Sequence, residues 1–123
     1  MLLLDANIVI DFLNKIPFAV DYFSDIDQRK IAISAITLAE VLTGTAPEDH
    51  EQVSLFIDQF YFLNIDKEVS VSAAQLRQKY YWKLPDSFQA ALALKHQLTF
   101  ITRNTKDFNP SIHKFVKVPY KLH

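Results

Sequence analysis

Leu2-Leu3-Leu4-Asp5-Ala6-Asn7-Ile8-Val9-Ile10 decides the fold. Three apolar residues stopped by an acid suit a short strand buried on both faces, as in parallel sheets. Asn7 can cap a helix running from Ile8 to about Leu13. The same strand-then-helix pattern recurs outward from this segment. Pro17 opens a second helical stretch through Phe18, Tyr22 and Phe23. Ile31-Ala32-Ile33 reads as another short strand, and Ser34 as the N-cap of a helix reaching Thr43. Gly44 stands where a left-handed C-terminal cap is expected. From Glu48 to Asp58 the apolar positions Val53, Phe56, Ile57 and Phe60 fall at helical spacing. Phe60 to Ile65 is a candidate strand, followed by a helix from about Lys67 to Tyr80. Pro85 starts another helix with Phe88, Ala91, Leu92 and Leu98 as its apolar stripe. Strands at Thr99–Thr102 and Phe115–Val118 close the chain. Strands alternating with helices predict a three-layer α/β/α domain with a central parallel sheet, spanning residues 1–123 as one unit.

Composition narrows the function. Of the 123 residues, 50% are hydrophobic and 22% charged, enough apolar material for a real core. Thirteen Lys and Arg against 14 Asp and Glu give a net charge of −1, which argues against a polybasic nucleic-acid binder but allows a local basic patch. The absence of cysteine excludes disulfides, a thiol nucleophile and thiolate zinc sites. Gly44 is the only glycine, so GxGxxG and GxxxxGK phosphate loops and a G-x-S-x-G elbow are excluded. His50, His96, His113 and His123 are scattered, with no pair at ligand spacing, and are read as surface or satisfied histidines. The longest stretch free of charged residues, Ile31 to Ala39, is too short to cross a bilayer. The opening residues lack the basic leader of a signal peptide. The expectation is a soluble, cytoplasmic domain.

The acids fall in a pattern. In open parallel sheets ligands bind beyond the carboxyl ends of the strands, where strand order reverses. Asp5 follows the first apolar run directly; it either serves a site or caps a helix. Glu40 lies in Ala35-Ile36-Thr37-Leu38-Ala39-Glu40-Val41-Leu42, a helix apolar on most sides. It either joins a site or reaches solvent through a polar stripe shared with Thr37 and Thr43. Asp86 occupies the first turn of the helix announced by Leu84-Pro85, where the helix dipole alone would favour an acid. Asp107 stands just beyond the Thr99–Thr102 strand, with Asn104 between them. One oxygen-rich group thus follows each of several strand–helix junctions.

These four segments resemble the PIN-domain nucleases, and within them the VapC-like toxins of toxin–antitoxin pairs. Leu4-Asp5-Ala6-Asn7-Ile8-Val9-Ile10 is similar to the opening strand and helix of that family, with a metal-binding acid at Asp5. Ser34-Ala35-Ile36-Thr37-Leu38-Ala39-Glu40-Val41 matches the helix carrying the family Glu. Leu84-Pro85-Asp86-Ser87 resembles its third acidic segment, and Thr102-Arg103-Asn104-Thr105-Lys106-Asp107-Phe108 its closing element. The chain departs from the pattern twice. Ala6 replaces a common hydroxyl residue, and Asn104 stands where many relatives carry a fourth Asp.

The resemblance implies a Mg²⁺-dependent endoribonuclease, with Mn²⁺ able to satisfy the same oxygens. Asp5, Glu40 and Asp86 would be catalytic. Asp5 and Asp86 would be direct metal ligands, with Glu40 a further ligand or a holder of bound water. Asp107 would either join them or tie down its loop. Asn104, Arg103 and Lys106 would contact RNA. Arg77-Gln78-Lys79-Tyr80-Tyr81-Trp82-Lys83 interleaves cations with aromatics, a pattern suited to phosphates and unpaired bases. Tyr80 is read as a packing residue, while Trp82 stays open between core and base stacking. A homodimer and a cognate antitoxin are further implications, and the ten Phe and five Tyr leave material for such interfaces. Two other readings stand beside this one. Asn104 and Ala6 favour a catalytically weak module that grips RNA or protein, and the same metal site also suits a nuclease acting on DNA.

Overall fold

Alternation of side chains along each short strand divides the interior into two layers. The computed structural model describes residues 1–122, so His123 lies outside the described residues. Its strands are β1 (Leu2–Leu4), β2 (Ile31–Ser34), β3 (Tyr61–Leu63), β4 (Thr99–Ile101) and β5 (Val116–Lys117). The helices are α1 (Ala6–Leu13), α2 (Pro17–Asp25), α3 (Ala35–Thr43), α4 (His50–Ile57), α5 (Lys67–Tyr80) and α6 (Leu84–His96). Leu3, Ala32, Phe100 and Val116 point to one face of the sheet, where α5 and α6 cover them with Val69, Ala73 and Ala90 to Ala93. Leu4, Ile31, Ile33 and Ile101 point to the other, beneath α1 to α4 with Val9, Phe23, Val41 and Ile57. The result is the expected α/β/α sandwich.

All neighbouring strands pair in parallel, in the order β3-β2-β1-β4-β5. From the central β1 the chain steps to β2 and β3 at one edge, then returns to β4 and β5 on the other side. Strand order therefore reverses between β1 and β4, which are in register with Leu4 opposite Ile101. The residues that follow these two strands, Asp5 and Thr102, emerge side by side at the switch point.

Two caps differ from expectation. Asp5, not Asn7, caps α1: its Oδ1 accepts from the Ala6 N–H at 2.8 Å. Asn7 is already inside the helix, and its amide turns back toward Asp5 and Thr102. Gly44 is not left-handed but has φ −86°. The carbonyls at the end of α3 are met without that geometry, because the Thr45 hydroxyl bonds the Val41 carbonyl at 2.7 Å and the Gly44 N–H reaches back to Glu40. Left-handed backbone occurs instead at Lys15, Tyr81 and Gln97, the last two closing α5 and α6.

The segment after β5 is tied across the layers. Tyr120 donates its hydroxyl to Asp11 Oδ2 at 2.9 Å, and Arg103 grips both oxygens of the same carboxylate at 2.7 and 3.0 Å. Asp11 is 6% exposed, so this fork joins α1, the loop after β4 and the C-terminal segment in a largely dry setting. Losing the Tyr120 hydroxyl in Tyr120→Phe removes one hydrogen bond, worth about 1 kcal/mol. Asp11→Ala strands the guanidinium and is expected to cost about 2–3 kcal/mol. Urea unfolding of both variants against the parent measures the order; equal losses would mean that Arg103 finds another partner.

Candidate functional site

Burial alone would protonate Asp5, which is 6% exposed at the carboxyl end of β1. Its surroundings oppose this. Besides capping α1, the carboxylate accepts the Thr102 hydroxyl at 2.7 Å and the Asn7 amide at 3.3 Å, both on Oδ2. Desolvation remains the largest influence and holds its pKa above the ordinary value, while Thr102, the Ala6 N–H, Gln89 and the charge of Arg103 pull it down.

Asp86 reaches the same place from the first turn of α6, after Pro85 has started the helix. It is half-buried, and its pKa is pushed up to about 6, first by desolvation, then by the charges of Asp5 and Asp107, with Lys83 opposing. Glu40 arrives from the second half of α3. It is exposed, and its pKa is also raised, by partial desolvation and by the charges of Asp5 and Asp86. Glu40 thus faces outward while feeling both other acids. Thr37, expected to share its stripe, is instead fully buried. The charges of the three acids picked from the sequence are felt across one end of the sheet, Asp5 acting on Glu40 and Asp86, and Asp107 acting on Asp86.

Spacing qualifies that convergence. Among the described residues, no group of three or more His, Asp or Glu side chains stands close enough to hold a metal ion between them. Donor chemistry and charge nevertheless suit a hard cation: the acids offer carboxylate oxygens, and Asp5 raises the pKa values of both Glu40 and Asp86. Mg²⁺ typically takes one or two carboxylates and keeps several waters, which such spacing allows.

The loop after β4 is stapled from within. Asn104 donates its amide to Asp107 Oδ2 at 3.0 Å and accepts the Asp107 N–H at 3.3 Å, while its own N–H bonds the Thr102 hydroxyl at 3.0 Å. Trp82 is 4% exposed, stacks on Tyr80 and donates its indole N–H to the Asp107 carbonyl at 2.9 Å. Trp82 is therefore core, and it anchors the loop carrying Asp107. Tyr80 packs as expected. Arg77 donates to the Trp82 carbonyl, which spends that cation on the backbone. Arg103 is committed to Asp11, whereas Lys106 is exposed and Lys83 stands near enough to Asp86 to lower its pKa. His50 bonds the Thr45 carbonyl and His113 packs edge-on against Tyr80 and Trp82, while His96 is exposed.

Sequence reasoning missed three buried polar residues behind the acids. Ser34 caps α3 as expected but also bonds Gln89, Thr37 is buried rather than in a surface stripe, and Gln89 drew no reading at all. Nothing in Ser87-Phe88-Gln89-Ala90-Ala91-Leu92 marks the amide as buried; only the structure shows that it is, and buried amides require partners.

A fold with acids at the switch point of a parallel sheet has known counterparts. The family model for the PIN domain matches residues 2–109, and the chain belongs to the PIN-domain family. Among solved structures, a chain of a toxin–antitoxin complex from Klebsiella pneumoniae is 35% identical, with a TM-score of 0.89 over 99% of this chain and 100% of that one. FitAcB from Neisseria gonorrhoeae is 28% identical, with a TM-score of 0.83 over 99% and 100% of the two chains. DNA-bound VapBC from Salmonella typhimurium is 25% identical, with a TM-score of 0.73 over 87% and 89%. A comparison with curated proteins finds no match. Among the described residues, no helix is long and apolar enough to cross a membrane.

The pH response of the site has a definite sign. Asp86 has a folded pKa of about 6 against 3.8 for the free side chain. Between those values the folded state holds the proton more often, so stability contributed by this group falls as pH rises through that window. In EDTA, Asp86→Asn is expected to melt above the parent at pH 7.5, with the gap closing by pH 4. Paired thermal melts check this; a gap that widens on acidification would contradict it.

Proposed function

We propose that this protein is the toxin of a toxin–antitoxin pair and a Mg²⁺-dependent endoribonuclease that cuts RNA phosphodiesters in the cytoplasm. The observation that carries this reading is the buried Asp5 carboxylate at the switch point, whose charge raises the pKa of both Glu40 and Asp86, a cost that a divalent cation relieves. Asp5 and Asp86 would hold the ion directly, with Glu40 and Asp107 completing its surroundings through water. When bound, such an ion lowers the pKa of water and offsets charge on the attacked phosphate. Glu40, the most exposed of the three, orients water through its carboxylate. Asn104 fixes Asp107, and Arg103 fixes the loop through Asp11, so direct phosphate contact falls to Lys106 and Lys83.

The neighbouring structures are toxin–antitoxin complexes, which supports an antitoxin as partner; a homodimer is part of the same proposal. A second reading, an RNA- or protein-binding module of little activity, draws on Asn104 and on the wide spacing of the acids.

Cleavage assays on matched RNA and DNA strands separate these readings. The proposal expects RNA cleavage with Mg²⁺, none in EDTA, and a loss of at least about a hundredfold in Asp5→Asn. That variant keeps an oxygen acceptor for the Ala6 N–H and turns its amide N toward the Thr102 hydroxyl oxygen, and should stay folded. Full cleavage by Asp5→Asn would overturn the assignment of the ion to Asp5. Saturable RNA binding without cleavage would favour the module, and preferential cutting of DNA would replace the substrate.

A further inference from the structure

Behind the carboxylates lies a neutral hydrogen-bonded chain in which Ser34, Thr37 and Gln89 are all 0% exposed. Ser34 donates its hydroxyl to Gln89 Oε1 at 2.6 Å, Gln89 Nε2 donates to Thr37 Oγ1 at 2.7 Å, and Thr37 Oγ1 donates to the Leu4 carbonyl at 2.9 Å. The Thr37 N–H closes the chain onto Ser34 Oγ at 3.0 Å. The Ser34 hydroxyl also lies 3.5 Å from Thr37 Oγ1, but the 2.6 Å bond to Gln89 is the shorter one for its single proton. No buried side-chain polar atom among the described residues lacks a partner.

The placement of these groups is informative. Leu4 immediately precedes Asp5, Thr37 lies one helical turn before Glu40 on α3, and Gln89 lies one turn after Asp86 on α6. On a helix, residues three apart share a face. The chain therefore ties together the three backbone segments that carry the three acids, at the level just beneath them. The Gln89 amide also favours the charged form of Asp5, though its hydrogen-bond acceptor is Thr37.

We propose that Gln89 is a positioning residue: through Ser34, Thr37 and the Leu4 carbonyl it sets how closely Glu40 and Asp86 approach Asp5, and so tunes the affinity of the site for a divalent cation. This inference rests on the nuclease reading above. Carboxylates that repel one another drive α3 and α6 apart, and nothing charged can brace them from behind without adding a buried charge of its own. A neutral amide, with its donor and acceptor in one plane, links the Ser34 hydroxyl that caps α3 to the Thr37 hydroxyl in its first turn. An aliphatic side chain of equal size would fill the space but leave α3 and α6 free to slide.

The test uses the purified full chain with Mn²⁺ as probe, titrated calorimetrically, alongside RNA cleavage with Mg²⁺. Gln89→Met keeps the volume and loses the bonds. It is expected to weaken Mn²⁺ binding at least fivefold and to lower kcat, with KM for RNA within twofold. Thr37→Val is expected to do the same, and Thr37→Ser, which restores the hydroxyl, to bind like the parent. Phe23→Leu, a core change remote from the chain, controls for stability and should leave Mn²⁺ affinity unchanged. If Gln89→Met does not fold, Ser34→Ala removes one link and carries the same readout. Mn²⁺ affinity in folded Gln89→Met within twofold of the parent overturns the positioning role and leaves the nuclease reading standing. A parent that shows no saturable Mn²⁺ binding overturns both.

Discussion

A single hydroxyl at the junction of two strands sets the terms for the rest of the molecule. Thr102 follows β4, Asp5 follows β1, and the 2.7 Å bond between them keeps an almost fully buried carboxylate in place where strand order reverses. Because β1 and β4 are adjacent and in register, the backbone delivers both residues to the same point without any loop having to fold onto them. The N-terminus of α1 adds its Ala6 N–H and its dipole to the same side chain. Asp5 is thus the fixed member of the acid group, and Asp86 and Glu40 are carried to it by α6 and α3.

Around that point, roles divide between rigid neutral supports and exposed charges. The loop after β4 is fastened by Trp82 to the α5–α6 layer and by Arg103, expected as a phosphate contact, to α1. Burying the Trp82 ring and stacking it on Tyr80 removes it from any role in gripping bases. What remains exposed beside the acids is a small set of lysines, Lys83 and Lys106. A near-neutral protein would hold a polyanion through so few cations only with modest, salt-sensitive affinity.

Much of this was legible in the chain. Short apolar runs ended by acids, Ser34 before an apolar helix and Pro85 at a helix start are local signals, and local signals survive folding. Asp5, Glu40 and Asp86 were visible because each is a charge interrupting apolar sequence at a strand or helix junction. Pairings across long sequence distances were not legible. Nothing near Arg103 announces that Asp11 will take its guanidinium, or that Tyr120 will share the same carboxylate. Gln89 was hidden for a different reason: one amide in an apolar stripe looks the same whether it is tolerated or required. Gly44 misled because its neighbour Thr45 satisfies the helix end by side chain, removing the need for left-handed backbone.

In the proposed function these acids form one cation site at the switch point of the sheet. Anomalous diffraction from crystals equilibrated with Mn²⁺ tests it most directly, because the signal locates the ion without reference to activity. The account predicts a peak adjoining the Asp5 and Asp86 carboxylates, on the side that Glu40 faces. A map with no peak there, or with its only peak at the surface acids Asp66 and Glu68, would contradict it.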